Sequence, residues 1–199
     1  MLVAWEAVRE AARRDAPEFL YESPNVETWR ELAEYAARSF PRGRPALEAA
    51  MDLSSRIHRD FQFDRTATSV STPLREVMKR RRGVCQDFAH LMIGGLRAQG
   101  LPARYVSGYL LTDPPPGRAR LIGADASHAW VSVYCGPRVG GGSCWIDLDP
   151  TNDCVVDDEH VTLAWGRDFS DVTPMRGVIL GAGEQELEVR VTVSPMEAN

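Results

Sequence analysis

Hydrophobic residues recur every three or four positions through the first hundred residues of the chain. This spacing is typical of amphipathic helices, in which residues three or four apart share one face. Five helices are predicted from it, over residues 2–14, 25–40, 45–61, 71–81 and 85–99.

Residues near the ends of these segments predict where the helices begin and end. Asn25 and Thr72 are predicted N-caps, because their side chains can accept a hydrogen bond from the first backbone N–H groups. Gly100 is a predicted C-cap, since glycine adopts the left-handed conformation that ends many helices. Gly94 and Gly95 lie inside the fifth helix, where glycine is unfavourable, and are expected to permit close packing against another element.

Beyond residue 100 the hydrophobic period changes to two, and Val, Tyr, Trp and Thr become frequent. Alternation of this kind is typical of β-strands. Strands are predicted over residues 102–112, 127–135, 143–149 and 186–195. The second and third are joined by a glycine-rich segment that reads as a hairpin loop. Helices followed by strands predict an α+β fold, with the N-terminal helices packed on an antiparallel sheet.

The composition is that of an ordinary globular protein, with 199 residues of which 44% are hydrophobic and 26% charged. The net charge of −5 gives no reason to expect nucleic acid or an anionic membrane as a partner. The basic run at residues 79–82 is interpreted as the solvated end of a helix. Since no apolar run is long enough to span a membrane, and the N-terminus is too acidic for a secretory signal, a cytoplasmic location is expected.

The four cysteines form no CxxC pair, so reduced thiols are expected in place of a disulfide framework. Cys135, Cys144 and Cys154 could be grouped with His160 around zinc, but their spacing is wide and irregular. Residues 147–159 are acidic but lack the residue order of a calcium-binding loop. No metal and no cofactor are therefore expected.

Cys85 differs from the other cysteines because it follows a glycine and opens the fifth predicted helix. The first turn of a helix has unpaired N–H groups and the positive end of the helix dipole, and both stabilise a thiolate. Free cysteine is also among the most buried residue types. From these residues alone, Cys85 is either a buried thiol or an activated nucleophile.

A nucleophilic thiolate needs a histidine within hydrogen-bond distance and a third group that orients the imidazole. His90 is nearest in sequence, but five helical residues rotate it by roughly 140° from Cys85. His58 is interpreted as structural, and His160 is expected in an acidic surface segment. His128 remains, because it opens a predicted strand.

The hairpin supplies a group that could orient His128. If the glycine-rich segment forms the loop, Cys135 faces Ser143, and His128 faces position 150. Asp149 then lies nearer to His128 than Asp147 does, and the two aspartates share a face of their strand. Cys85, His128 and Asp149 are therefore predicted to form a Cys-His-Asp site. The alternative is that His128 is a satisfied sheet histidine and Asp149 caps the following turn.

Three segments resemble the core motifs of the bacterial transglutaminase-like superfamily, namely "GVCQDFAHLMIGGLRAQGLPARYVSGYL", "SHAWVSVY" and "WIDLDPTND". The segment "WGRDFSDVTPMRGVILG" resembles the one that follows them in that family. The resemblance implies a papain-like α+β fold in which Cys85 is the nucleophile at a helix N-terminus, His128 the base and Asp149 the orienting group. We expect a single domain over residues 1–199, with a helical part at 1–60 and a catalytic core at 61–199.

The chemistry implied by the resemblance is acyl transfer from a peptide or protein amide through a thioester on the cysteine. Water as acceptor would give hydrolysis, and an amine would give transamidation. The alternative is a catalytically inert binding module on the same fold. Arylamine acetyltransferases share the triad, but their "RGGxCxExN" type of motif does not match "RRGVCQDFAH".

Overall fold

The computed structural model describes residues 3–111, 127–138, 140–173, 177 and 190–195. Within these ranges, five α-helices precede a five-stranded antiparallel sheet. The helices are α1 (Trp5–Asp15), α2 (Arg30–Ala37), α3 (Ala46–Asp60), α4 (Leu74–Arg80) and α5 (Cys85–Ala98). None of the described helices is long and apolar enough to cross a membrane.

The strands lie between and after the helices. Two short strands, β1 (Gln62–Phe63) and β2 (Arg82–Gly83), pair in parallel just before α5. The main sheet contains β3 (Ala103–Leu110), β4 (Ser127–Pro137), β5 (Ser143–Asp149), β6 (Cys154–Val155) and β7 (His160–Gly166), in the order β6-β5-β4-β3-β7. The predicted α+β architecture with an antiparallel sheet is confirmed. Most of the predicted strand 186–195 lies outside the described residues.

α5 is the central helix of the core, and it packs against α2 and α3 on one side and against β3 and β4 on the other. Almost all of its residues are buried, because both of its sides are covered. A Cβ on Gly94 would lie 2.8 Å from Leu32, and a Cβ on Gly95 would lie 3.1 Å from Ala36. The prediction that these glycines permit close packing is confirmed.

The predicted end of α5 is also confirmed. Gly100 has a φ of +78°, and its N–H donates to the carbonyl of Arg97 at 2.8 Å. The N–H of Leu101 donates to the carbonyl of Leu96 at 3.0 Å, which completes a Schellman motif. The chain therefore turns directly from α5 into β3.

Two predicted helix starts are wrong. α2 begins at Arg30, because Asn25 makes a tertiary contact instead of a cap: its backbone N–H and its amide donate to the carboxylate of Asp168 at 2.8 and 3.1 Å. α4 begins after Pro73, and the Thr72 hydroxyl accepts the N–H of Ser69 within the preceding turn. Asn and Thr side chains accept or donate equally well in caps and in turns, so local sequence does not distinguish these uses.

The β4–β5 hairpin forms as predicted, but with a different register. Tyr134 pairs with Trp145, and Pro137 pairs with Ser143. A β-bulge at Cys135 adds one residue to β4, so Cys135 does not face Ser143. The shift is one to two residues, and the first residues of β4 still lie beside the end of β5.

Candidate active site

Cys85 is the first residue of α5, and the turn before it is held by Asp87. The Asp87 carboxylate accepts the N–H of Val84 at 2.8 Å and the hydroxyl of Thr68 at 2.6 Å. A Cβ on Gly83 would lie 2.6 Å from the same carboxylate, so glycine is needed there. Asp87 thus stabilises the helix start, and its burial raises the pKa of its carboxyl group.

His128, near the start of β4, lines the same cavity as Cys85. The cavity has a volume of about 550 Å³. Its other lining residues among those described are Phe63, Arg65, Val84, Leu110, Ser127, Thr151 and Asn152. The structure therefore brings together a thiol and an imidazole that are far apart in the sequence.

Asp149, the last residue of β5, contacts the far side of the His128 ring. Nε2 of His128 lies 2.7 Å from Oδ2 of Asp149, which is fully buried. The other oxygen of Asp149 accepts the backbone N–H groups of Thr151 and Asn152, at 2.8 and 3.2 Å. Since Nε2 of His128 is engaged with the carboxylate, Nδ1 is the ring nitrogen that remains for Cys85.

The two ionisable groups of this contact have shifted pKa values. Burial lowers the pKa of His128, but hydrogen bonds with Asp149 and Cys85 outweigh it and raise the pKa to about 9. Burial raises the pKa of Asp149, but the hydrogen bond and positive charge of His128, with donors from Asn152 and Thr151, outweigh it and lower the pKa to about 2. Between these values, an imidazolium faces a carboxylate.

Two further histidines, for which no catalytic role was predicted, make contacts elsewhere in the fold. His90 is buried, and its Nε2 accepts the N–H of Phe169 at 3.2 Å; burial lowers its pKa to about 4. Nδ1 of His58 lies 2.8 Å from the carbonyl oxygen of Thr151. Neither of them lines the cavity beside Cys85 among the residues described there.

His160 is buried within an exposed segment. Its side chain is only 3% exposed, and its Nε2 lies 3.3 Å from Oδ2 of Asp149. The acidic segment around it is exposed, as expected, and it leads into β7, which pairs with β3 at the edge of the sheet. The alternating pattern of β7 is misleading, because its apolar residues Val161, Leu163 and Trp165 are exposed. Only the pairing with β3 turns His160 toward the site.

Trp130 packs beside His128 within the sheet. Trp130 is fully buried, its ring centroid lies 6.1 Å from that of His128, and its Nε1 donates to Asp147 at 3.3 Å. His128 and Trp130 share one face of β4, as Asp147 and Asp149 share one face of β5. The structure thus distinguishes the two aspartates: Asp149 contacts the histidine, and Asp147 contacts the tryptophan.

One group of side chains in the described part of the chain could hold a metal ion. The ligand atoms of His128, Asp149 and His160 lie within 4.8 Å of one another. An ion there would have to replace the hydrogen bond between His128 and Asp149. The cysteines form no such group among the described residues, and all four are free thiols.

The chain is similar to known proteins in sequence and in fold. Residues 33–150 match the model of the transglutaminase-like superfamily. The crystal structure of a candidate cysteine protease from Cytophaga hutchinsonii superposes with a TM-score of 0.62 at 27% identity, over 80% of this chain and 50% of that chain. Together these matches confirm the predicted transglutaminase-like fold.

Curated relatives extend the similarity over the whole chain. An uncharacterized protein of Mycobacterium tuberculosis is 47% identical over 201 residues, which cover 100% of this chain and 64% of that protein. This chain therefore spans about two thirds of the length of that relative. A protein-glutamine gamma-glutamyltransferase of Pseudomonas aeruginosa is 40% identical over 72 residues, 36% of this chain and 10% of that protein.

Proposed function

Because this chain belongs to the transglutaminase-like superfamily, we propose that it is a cysteine-dependent enzyme that transfers the acyl group of a peptide or protein amide. The observation that carries this proposal is the position of the His128 ring, with Asp149 at Nε2 and Cys85 on the opposite side, beside an open cavity. Thiol-based acyl transfer requires a nucleophile that contacts a base and an orienting group that contacts the same base.

In the proposed reaction, the Cys85 thiolate attacks the carbonyl carbon of the amide and forms a carbon–sulfur bond. His128 gives its Nδ1 proton to the leaving nitrogen as the carbon–nitrogen bond breaks, which leaves a thioester. Water or an amine then attacks the thioester and loses a proton to His128, and the thiolate leaves. Asp149 keeps a proton on Nε2 throughout, so that Nδ1 can accept and donate.

The oxyanion of each tetrahedral intermediate needs backbone donors close to the sulfur. The N–H of Cys85 is suited to this role, because the first N–H groups of a helix have no acceptor within the helix. The dipole of α5 adds partial positive charge at the same place. The helix start therefore supports both the thiolate and the oxyanion.

The acceptor decides between two branches of the same chemistry. Similarity to a protein-glutamine gamma-glutamyltransferase supports an amine acceptor, and similarity to a candidate cysteine protease supports water. The deciding experiment is to incubate the protein with a glutaminyl peptide and a labelled amine, while following ammonia release and amine incorporation in parallel. Ammonia with incorporation identifies a transamidase, and ammonia without incorporation identifies an amidase.

The competing proposal is an inert binding module, and the reactivity of Cys85 separates the two. Since the imidazolium of His128 persists to about pH 9 and hydrogen-bonds Cys85, we expect Cys85 to react with iodoacetamide at pH 6 much faster than an ordinary thiol does. An ordinary thiol with a pKa near 8.5 reacts about 300-fold below its maximum at that pH.

The alkylation rate of each cysteine is measured by peptide mass spectrometry after timed reaction with iodoacetamide between pH 5 and 10. Cys135 is the internal control, because burial raises its pKa to about 12 and it should not react at pH 6. A Cys85 profile with a single midpoint near 8.5 would favour the inert module.

A further inference from the structure

His160 contacts a carboxylate at each of its two ring nitrogens. Nε2 lies 3.3 Å from Oδ2 of Asp149, and Nδ1 lies 3.2 Å from Oδ1 of Asp157. The ring is enclosed, since its side chain is 3% exposed and its centroid lies 5.2 Å from that of Trp130 in an edge-on contact. These three contacts fix the ring between Asp149 and the loop before β7.

The chemistry of the two carboxylates assigns the hydrogen-bond donor in each contact of His160. An ionised carboxylate oxygen only accepts hydrogen bonds, so a ring nitrogen of His160 makes either contact as the donor. Asp157 is itself held in place, because its Oδ1 accepts the N–H of Glu159 at 3.0 Å. The imidazole of His160 thus connects a fixed surface carboxylate to the buried carboxylate of Asp149.

Asp149 needs this connection because it is a fully buried anion. Its Oδ2 contacts Nε2 of His128 and Nε2 of His160 and accepts a hydrogen bond from the amide of Asn152 at 2.6 Å. Its Oδ1 accepts hydrogen bonds from backbone N–H groups. The backbone donors fix one oxygen, and the three side chains fix the other. His160 reaches Oδ2 from β7, whereas His128 reaches it from β4, so the carboxylate is held between two strands.

We propose that His160 is a positioning residue of the active site, which donates from Nε2 to Asp149 and thereby holds its carboxylate in line with His128. This inference rests on the proposed function, in which Asp149 orients His128. His160 is not among the described residues that line the cavity beside Cys85, so it acts through Asp149 and not on the substrate.

The test uses two amide side chains of different length at this position. In His160→Gln the amide nitrogen reaches the place of Nε2, so the donor to Asp149 is kept. In His160→Asn the amide reaches only the place of Nδ1, so the contact with Asp157 is kept and the one with Asp149 is lost. We expect kcat of His160→Asn to be about tenfold or more below that of His160→Gln, which corresponds to the loss of a hydrogen bond to a charged group.

KM for the glutaminyl peptide should be the same in both variants, because neither change reaches the cavity. The pH 6 alkylation rate of Cys85 provides a second readout that needs no substrate, and it should fall in His160→Asn only. Leu163→Thr, an exposed substitution on the same strand, controls for damage to β7 and should match the wild type in both readouts.

Equal kcat values and equal alkylation rates for the Gln and Asn variants would overturn the inference. A fall in kcat matched by a rise in KM would also overturn it, because that pattern belongs to a displaced substrate. Failure of the proposed function is distinguishable from both results: turnover would then be absent from the wild type or would persist in Cys85→Ala, whatever residue stands at position 160.

Discussion

Cys85→Ala is expected to lower the rate of ammonia release from a glutaminyl peptide by about 10⁴-fold or more. The physical reason is that Cys85 supplies the only thiol among the described residues that line the cavity with His128. Without the sulfur, no thioester can form, and the imidazolium and the helix N-terminus have no anion to stabilise. The measurement is kcat/KM by a continuous ammonia assay on purified variants.

Two controls separate chemistry from packing in this experiment. Cys85→Ser keeps nearly the same volume but cannot supply a thiolate, so it should be as inactive as the alanine variant. Cys144→Ala removes a partly buried thiol from β5, away from the site, and should keep wild-type activity. Activity that survives in Cys85→Ala would contradict the mechanism, and inactivity of Cys144→Ala would indicate a general loss of folding.

Asp149→Asn is expected to lower kcat by about two to four orders of magnitude. The backbone N–H of Thr151 would keep the amide oxygen at the place of Oδ1, so the amide nitrogen would face Nε2 of His128. A donor at that place favours the tautomer with its proton on Nδ1, which cannot accept a proton from Cys85. The variant should therefore lose the high reactivity of Cys85 at pH 6 together with its turnover.

Asp147→Asn is the matched control, because Asp147 lies two residues earlier on the same face of β5 and contacts Trp130. It should retain turnover to within a few-fold of the wild type. If Asp149→Asn and Asp147→Asn have equal activity, Asp149 does not orient the histidine. Alkylation of Cys85 in both variants provides the same comparison without a substrate.

The sign of the pH dependence of stability follows from the same carboxylate. The pKa of Asp149 is lowered from its ordinary value of 3.8 to about 2, so the folded protein favours the ionised form. Its contribution, about 2 kcal/mol, is present above pH 4 and is lost as the pH falls through 2. The contribution of the His128 imidazolium is present below its ordinary pKa and is lost as the pH rises through about 9. The site is therefore most stable between these limits.

Much of the fold could be predicted because its elements are set by local patterns. α5 was predicted almost to the residue, since a glycine precedes the apolar run that follows Cys85 and Gly100 ends it. Gly100 marked its end, because the left-handed conformation needed there favours glycine. β5 was also found with its observed bounds, from alternation and the adjoining glycine-rich loop.

The errors occurred where a polar residue has its partner far away in the sequence. Asn25 looks like a cap, but its partner is Asp168, and that contact depends on how the segment after β7 returns to the helices. The β4–β5 register was offset because a bulge adds a residue without a clear local signal. Neither error displaced the predicted site, since period two still set the faces of β4 and β5.

The sequence by itself determined which segments of this protein are helices and which are strands. It also determined the helix that begins at Cys85 and the hairpin that carries His128 and Asp149. It could do so because side-chain periodicity and turn residues act over a few positions. The tertiary structure alone decided that the Cys85 thiol and the His128 imidazole share one cavity, and that His160 approaches Asp149 from the sheet edge. Those contacts join residues on separate elements, and their distances depend on how α5 and β7 pack against β3 and β4. The hydrogen bonds made there outweigh burial and shift the pKa values of His128 and Asp149, on which the proposed chemistry depends.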